Sequence, residues 1–390
     1  TRYSDNINNN DRDRESDFEN RVGFSINKTT DPGPCQGSTS GDVAFLNYPG
    51  NSNDDRLSAN LDASGQCQPQ RNIRWNVNAT VRDVRSTTRI SESPDNRETR
   101  YVVSTGPTLM ANPSRRDNLS LNLSYEVTRF EDSTGDDSDR ATATGRWQHI
   151  LSRTLSGGLA VSASDIDLRT TNETLVSTNA NLFFTWQRPN GQWEGQLGAS
   201  RLESEQGSIE NQTSGFTGQL RYSHQWRGGT SAFAEVRREI TDVSTDLDVG
   251  IPGLDLNLTE TSSVTVSSLS AGLSQEWTPR TSSDLNLSYN RQEFDRTGNE
   301  EDRAQADLTL SRQVTSNLSA RLSGGYEHQE FDQDNTDTDT IRAELGLDYQ
   351  RTRDLSFNAA IGREDRTIDG PGSREFEENW VRAGFRYNLR

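Results

Sequence analysis

A chain of 390 residues with a net charge of −18, a mean hydropathy of −0.91 and only 29% hydrophobic residues lacks the apolar material for a thick soluble core. No run approaches 18 apolar residues, which excludes a membrane-spanning helix, and the acidic balance excludes nucleic acid as a partner. Disorder is argued against by seven Trp, nine Tyr and thirteen Phe, and above all by their phasing.

No signal peptide is read at the start, which is Thr1, so a mature, processed chain is expected. Residues 1–17 hold either a short first strand at 1–9 or a periplasmic segment. Strands are then expected at 18–28, 41–48 and 56–64, at 72–87 with Ile73, Trp75, Val77, Ala79 and Val81 on one parity, and at 98–111. Cys35 and Cys67 are the only cysteines. In an oxidising compartment a disulfide is the default, and it requires both to lie on one side of the membrane. If 41–48 and 56–64 form a hairpin, both fall on its periplasmic side.

From 118 onward the two-residue rhythm is continuous. Leu119, Leu121, Leu123, Tyr125 and Val127 alternate with Ser120, Asn122, Ser124 and Glu126, which places the apolar set on one face of a strand. Fourteen such strands are read, at 118–130, 140–150, 155–167, 175–187, 192–204, 212–226, 230–241, 262–277, 283–294, 303–312, 317–330, 338–350, 354–365 and 376–390. Each is long enough for the roughly nine to eleven residues that a tilted strand needs. Short gaps such as Pro113–Arg116 and Arg188–Gly191 alternate with long acidic ones at 129–139, 165–174, 203–212, 241–261, 293–302, 329–339 and 363–376. Short periplasmic turns and long outer loops are the habit of bacterial outer-membrane barrels. The predicted fold is therefore all-β, a transmembrane antiparallel up-and-down barrel of 18 to 20 strands forming one domain over 1–390. The stretch 241–261, with Pro252-Gly253 at its centre, reads as an extracellular hairpin extending beyond the membrane. It could cap the lumen, pack on a neighbour or prolong the wall.

Trp147, Trp186, Trp226 and Trp277 each end a strand before a short turn and Trp193 begins one after it, as expected of a periplasmic aromatic girdle at the headgroup level.

Tyr3-Ser4-Asp5-Asn6-Ile7, then Ser16-Asp17-Phe18 leading into Val22-Gly23-Phe24-Ser25-Ile26, together with hairpin strands opening Asp354-Leu355-Ser356-Phe357 and Asn317-Leu318-Ser319-Ala320, resemble the β-barrel porin family associated with exopolysaccharide operons. The resemblance implies an outer-membrane barrel encoded with polysaccharide synthesis and export genes, with no catalytic residues to carry over. Two departures stand out. The run 29–55 is longer than the tight turn expected there, and Arg390 follows the alternating Phe385, Tyr387 and Leu389 where a terminal aromatic is usual.

His149, His224 and His328 lie on the apolar parity near strand ends with no partner at metal-ligand spacing, and no catalytic constellation is read, so no enzyme is expected. The acidic runs Asp132–Asp139 and Asp332–Asp339 concentrate carboxylates of the kind that hold Ca2+ or bridge lipopolysaccharide phosphates through it, without the pattern of an EF-hand loop. No other cofactor is implied.

The parity opposite the apolar set gives the expected pore lining: Arg74, Arg82, Glu126, Arg146, Glu194, Arg221, Glu235, Glu276, Asp307, Arg321, Glu327, Arg342, Glu344, Asp348, Arg382 and Arg386. Both signs are mixed, which suits neutral or weakly charged hydrophilic solutes better than ions of one sign. The expected function is a passive outer-membrane pore or export conduit for polysaccharide or other hydrophilic solutes. Its expected partners are the lipid bilayer, lipopolysaccharide and periplasmic export proteins. The alternatives are a structural barrel sheathing or anchoring a partner, such as a multihaem electron conduit, and, third, an outer-membrane enzyme.

Overall fold

Alternation of side chains becomes a ladder of backbone hydrogen bonds in which each strand meets the next in antiparallel register. The structure, a computed structural model, describes all residues except 11–13, 31–32, 51, 87–93, 132–136, 208, 243–262, 296, 334, 371–374 and 389–390. Its strands are β1 Arg2–Ser4, β2 Asp17–Thr29, β3 Cys35–Asn47, β4 Arg56–Gln70, β5 Ile73–Arg85, β6 Arg97–Ala111 and β7 Asp117–Phe130. They continue with β8 Ser138–Ile150, β9 Leu155–Leu168, β10 Glu173–Arg188, β11 Gly191–Gln206, β12 Ile209–Gln225, β13 Thr230–Asp242 and β14 Ser263–Thr278. The last are β15 Thr281–Phe294, β16 Glu300–Gln313, β17 Leu318–Phe331, β18 Thr336–Gln350, β19 Leu355–Asp369 and β20 Phe376–Tyr387. One 20-stranded sheet results, closed because β1 pairs with both β2 and β20.

The elements refine the sequence expectation at their ends. The first strand is three residues rather than nine, and most of the long run after residue 29 is strand, since β3 begins at Cys35. The expected loop at 203–212 is strand on both sides, with β11 running to Gln206 and β12 starting at Ile209. Apart from Thr241 and Asp242, the expected outer hairpin at 241–261 lies outside the described residues, as do Leu389 and Arg390.

Closure turns the usual protein inside out. Leu119, Leu121, Leu123, Leu197, Val236, Leu308, Leu345 and Ile361 are all exposed on the outer face, where a soluble domain would bury them. Such a belt is stable against hydrocarbon, and the closed ladder satisfies the backbone there. Apolar residues face inward mainly at the extracellular end, where Ile166, Leu168, Leu175, Leu202 and Ile240 form one buried cluster and Ile7, Leu46 and Tyr48 another. The rim is thus built like a soluble core, each such side chain contributing about 1.5–3 kcal/mol on burial.

Cys35 and Cys67 sit directly opposite each other on β3 and β4, Cα–Cα 4.0 Å, and form a disulfide at the periplasmic end of the pair. The residues are 32 apart in sequence, so the bond constrains the unfolded chain by about 3–4 kcal/mol. Reduction should lower the temperature at which the barrel loses its compact, heat-modifiable band on gels, and Cys35→Ser with Cys67→Ser should reproduce that shift without reductant.

The closing strand is clamped from the extracellular side. Asn379 donates its backbone N–H (2.7 Å) and its side-chain amide (2.9 Å) to the Asp5 carboxylate, and Arg14 adds an ion pair at 3.2 Å. Burial pushes the Asp5 carboxyl up, but the hydrogen bonds from Asn379 and Arg14 outweigh it and hold it below its ordinary range. A carboxyl held low stabilises the fold at and above the ordinary carboxylate range and loses that contribution as pH falls through the lowered value. The melting temperature should therefore fall more steeply in wild type than in Asp5→Asn once the pH drops below about 4.

Candidate conduit: the barrel lumen

Because strand residues alternate faces, register decides what lines the lumen. The cross-strand pairs put Arg74 beside Thr108, Arg82 beside Arg100, Glu126 beside Arg140, Arg146 beside Ser120, and Glu194 beside Arg221. They also put Arg221 beside Glu235, Glu276 beside Ser282, Asp307 beside Gly325, Arg321 beside Gly346, Glu327 beside Thr340, and Arg342 beside Glu364. Glu344 lies beside Gly362, Asp348 beside Asn358 and Arg382 beside Ala360, while Arg386 lies beside Ser356. All sixteen residues expected to line the pore share the face opposite the exposed apolar belt.

Trp147, Trp186, Trp226 and Trp277 are exposed on the outer face near the periplasmic turns. Trp193 stacks on Tyr222 with ring centroids 4.4 Å apart, and Tyr222, His224 and Trp226 continue the aromatic row. His149 bonds Asp117 at 2.8 Å and His328 bonds Asp339 at 2.9 Å, so each is engaged by a carboxylate.

The two halves of the lumen differ chemically. Toward the extracellular side the charges are committed to one another. Arg303 and Arg342 share Glu327 at 2.9 and 3.5 Å, Arg342 also reaches Glu364 at 3.3 Å, and Arg2 pairs with Glu378 at 2.6 Å. Toward the periplasm, Arg221 pairs with Glu235 at 2.8 Å, whereas Arg74, Arg146, Arg321 and Arg386 have no ion-pair partner among the described residues.

Three aromatic rings that are absent from the expected lining also point inward. Phe183 lies over Gly158, Phe233 over Gly272 and Trp380 over Gly362; a Cβ at Gly362 would meet the indole at 2.3 Å. Only glycine permits that approach. Arginines cover the rings: Arg146 Cζ is 3.5 Å from the Phe183 centroid, Arg221 is 4.6 Å from Phe233, and Arg2 and Arg382 are each 5.4 Å from Trp380. Each cation–π contact fixes a guanidinium against the wall. The signal was present in the sequence, because all three rings lie off the apolar parity of their own strands. At the periplasmic end a cavity of about 930 Å³ is lined in part by Arg221, Phe233, Gly272, Ser274, Asp284 and Asn286.

The extracellular half is narrowed by the wall itself. β13 follows β12 only as far as Gly218 opposite Arg238. Above that point Ile240 joins the cluster of Ile166, Leu168, Leu175 and Leu202, and both Asp242 carboxylate oxygens accept from Arg140 of β8, at 2.8 and 3.0 Å. Four strands lie between β8 and β13 along the wall, so this contact requires the upper end of β13 to lean into the lumen.

A closed barrel with an apolar outer belt, aromatic rows near its periplasmic turns and a polar lumen defines an outer-membrane protein of the porin type. Residues 265–389 match the family model described as "Putative beta-barrel porin 2", a similarity confined to that part of the chain, and the match together with the closed barrel places the protein in the bacterial outer membrane. Among solved structures, the copper transporter OprC is similar at TM-score 0.52 and 11% identity, over 99% of this chain and 79% of the other. The FrpB iron transporter from Neisseria meningitidis (F5-1 variant) is similar at TM-score 0.52 and 10% identity, over 99% and 81%. The siderophore receptor PiuA from Acinetobacter baumannii gives 0.51 and 10%, over 99% and 81%. At these identities the likeness is one of fold. No curated protein matches in sequence.

Proposed function

We propose that the barrel is a passive conduit across the outer membrane for hydrophilic solutes, with polysaccharide as the favoured cargo. The observation that carries this reading is the periplasmic half of the lumen, where Arg74, Arg146, Arg321 and Arg386 stand without a carboxylate partner among the described residues, Arg146 resting on Phe183, amid Ser, Thr and Asn side chains. Guanidinium donors held on a mixed polar wall suit sugar hydroxyls and occasional acidic substituents, and they set up no single-sign filter. Twenty strands enclose enough space for an aqueous path past the leaning end of β13. The acidic outer loops are the surface offered to lipopolysaccharide phosphates through divalent cations. Export would be driven by a gradient or by periplasmic partners.

Single-channel conductance in a planar bilayer, with and without added polysaccharide, tests this. Steady conductance that polysaccharide blocks, with block weakened by Arg146→Ala and Arg321→Ala together, is the expected result. A folded barrel that stays silent overturns the open conduit and favours a barrel that sheathes a partner.

A further inference from the structure

The two ends of the lipid-facing surface treat arginine differently. At the extracellular end, outward arginines are held by carboxylates of the same face: Arg129 lies 2.8 Å from Asp139, Arg363 lies 3.2 Å from Glu377, and Arg201 and Arg291 pair with Glu203 and Glu300. At the periplasmic end the arginines stand without such partners. Six of the eight turns on that side between β4 and β19 carry an arginine, among them Arg71, Arg153, Arg227 and Arg280. Arg188 and Arg312 stand at the ends of the strands that enter the other two turns. All six named side chains belong to exposed residues and have no ion-pair partner among the described residues.

Composition does not produce this rim. The chain has 59 acidic and 41 basic residues, yet Asp354 is the only carboxylate within those eight turns. Asp117, the first residue of β7, is engaged locally, accepting from Ser114 at 2.5 Å and from the Trp147 indole at 3.1 Å and lying 2.8 Å from His149. A rim of one sign repels itself and attracts anions from outside the chain.

Tryptophan fixes the height of the rim. Trp186, Trp226 and Trp277 are followed within three residues by Arg188, Arg227 and Arg280, and Arg188 Cζ lies 3.8 Å from the centre of the Trp186 ring. Indoles at strand ends sit at the lipid headgroup level, so these guanidinium groups stand beside lipid phosphates. Direction agrees with depth, since Arg188 shares the outward parity of Trp186 and Arg312 that of Leu308 and Leu310, away from the lumen.

We infer that this rim is a binding surface for anionic phospholipids of the periplasmic leaflet, whose phosphates take the place that Asp139 and Glu377 hold at the other end. The planar guanidinium fork matches a phosphate with two parallel hydrogen bonds, which a tryptophan alone cannot supply. A headgroup with net negative charge is preferred to a zwitterionic one, whose own amine competes with the arginines. An acidic glycan entering the lumen is the rival occupant, and the outward direction of Arg188 and Arg312 argues against it.

The test places the full chain and an Arg188→Gln, Arg227→Gln, Arg280→Gln triple variant in nanodiscs of phosphatidylcholine, with or without phosphatidylglycerol. Native mass spectrometry should show wild type retaining phosphatidylglycerol about tenfold over phosphatidylcholine, and the variant should lose most of that preference. The melting temperature of wild type should rise with phosphatidylglycerol more than that of the variant, and added salt should shrink the difference. Wild type without any preference for phosphatidylglycerol overturns the inference, and so does a variant that keeps the full preference. Loss of polygalacturonate binding in the variant, with lipid retention intact, also overturns it and assigns the rim to acidic cargo.

Discussion

Replacing Asp242 with Ala should raise the single-channel conductance several-fold. Arg140 and Asp242 are nearly shielded from solvent, with side chains 12% and 4% exposed, and their ion pair ties β13 across the lumen to β8. Removing one partner of a buried pair costs about 3–5 kcal/mol, because the other charge is left uncompensated. Glu126, 3.9 Å from Arg140, takes up part of that charge. The bent end of β13 bears the remainder, and on the lumen side it holds otherwise through Ile240 in its apolar cluster, while its ladder to β14 runs on to Asp242 opposite Ser263. The wall-aligned conformation, in which β13 rejoins β12 above Gly218, becomes competitive, and the constriction widens. Arg140→Ala should act in the same direction. The double variant should be less destabilised than the two single changes summed, since no orphaned charge remains. Unchanged conductance in both single variants would show that the ion pair does not control the constriction.

Glu327→Gln should shift the channel toward anion selectivity and lower its thermal stability together. Glu327 is the carboxylate that Arg303 and Arg342 share, and Arg303 and Glu327 are themselves buried, with side chains 10% and 6% exposed. The buried Arg366 side chain stands on β19, just beyond β18, so loss of this charge leaves the region net positive. Destabilisation of about 3–5 kcal/mol is expected from breaking the pair, and reversal potentials across a salt gradient report the change in selectivity. Arg321→Gln, on the same strand but without an ion-pair partner among the described residues, should leave stability nearly unchanged. The pair of variants thereby separates structural charges from those offered to a solute.

Particular residues show how much could be read before folding. Leu119 through Val127 announced a strand, its outer face and its length, because a period of two has a single structural meaning over nine residues. The same parity put Arg146 and Glu327 on the inner face, yet it could not distinguish them. One stands against a phenylalanine without a carboxylate, and the other is shared by two arginines. That difference lies in neighbours on adjoining strands. Phe183, Phe233 and Trp380 were legible as rings off the apolar parity, but their role became visible only with the glycines opposite them. At 203–212 the acidic composition suggested a loop, whereas cross-strand pairing carries β11 and β12 almost to their connection, because polar residues are tolerated on both faces of a strand that extends beyond the membrane.

The amino-acid sequence by itself determined the class: antiparallel strands, a lipid-facing apolar parity, a polar lumen, turns of two lengths and a disulfide. All of these are local, fixed by alternation within a strand or by the reach of two cysteines. Only the tertiary structure decided where the wall departs from that plan. β13 leaves β12 to bind Arg140 on a strand five away, and β2 and β20 are joined by three residues of β1. Both depend on contacts between residues more than 100 positions apart, whose energies are set by register and barrel closure, and no periodicity within a segment encodes them.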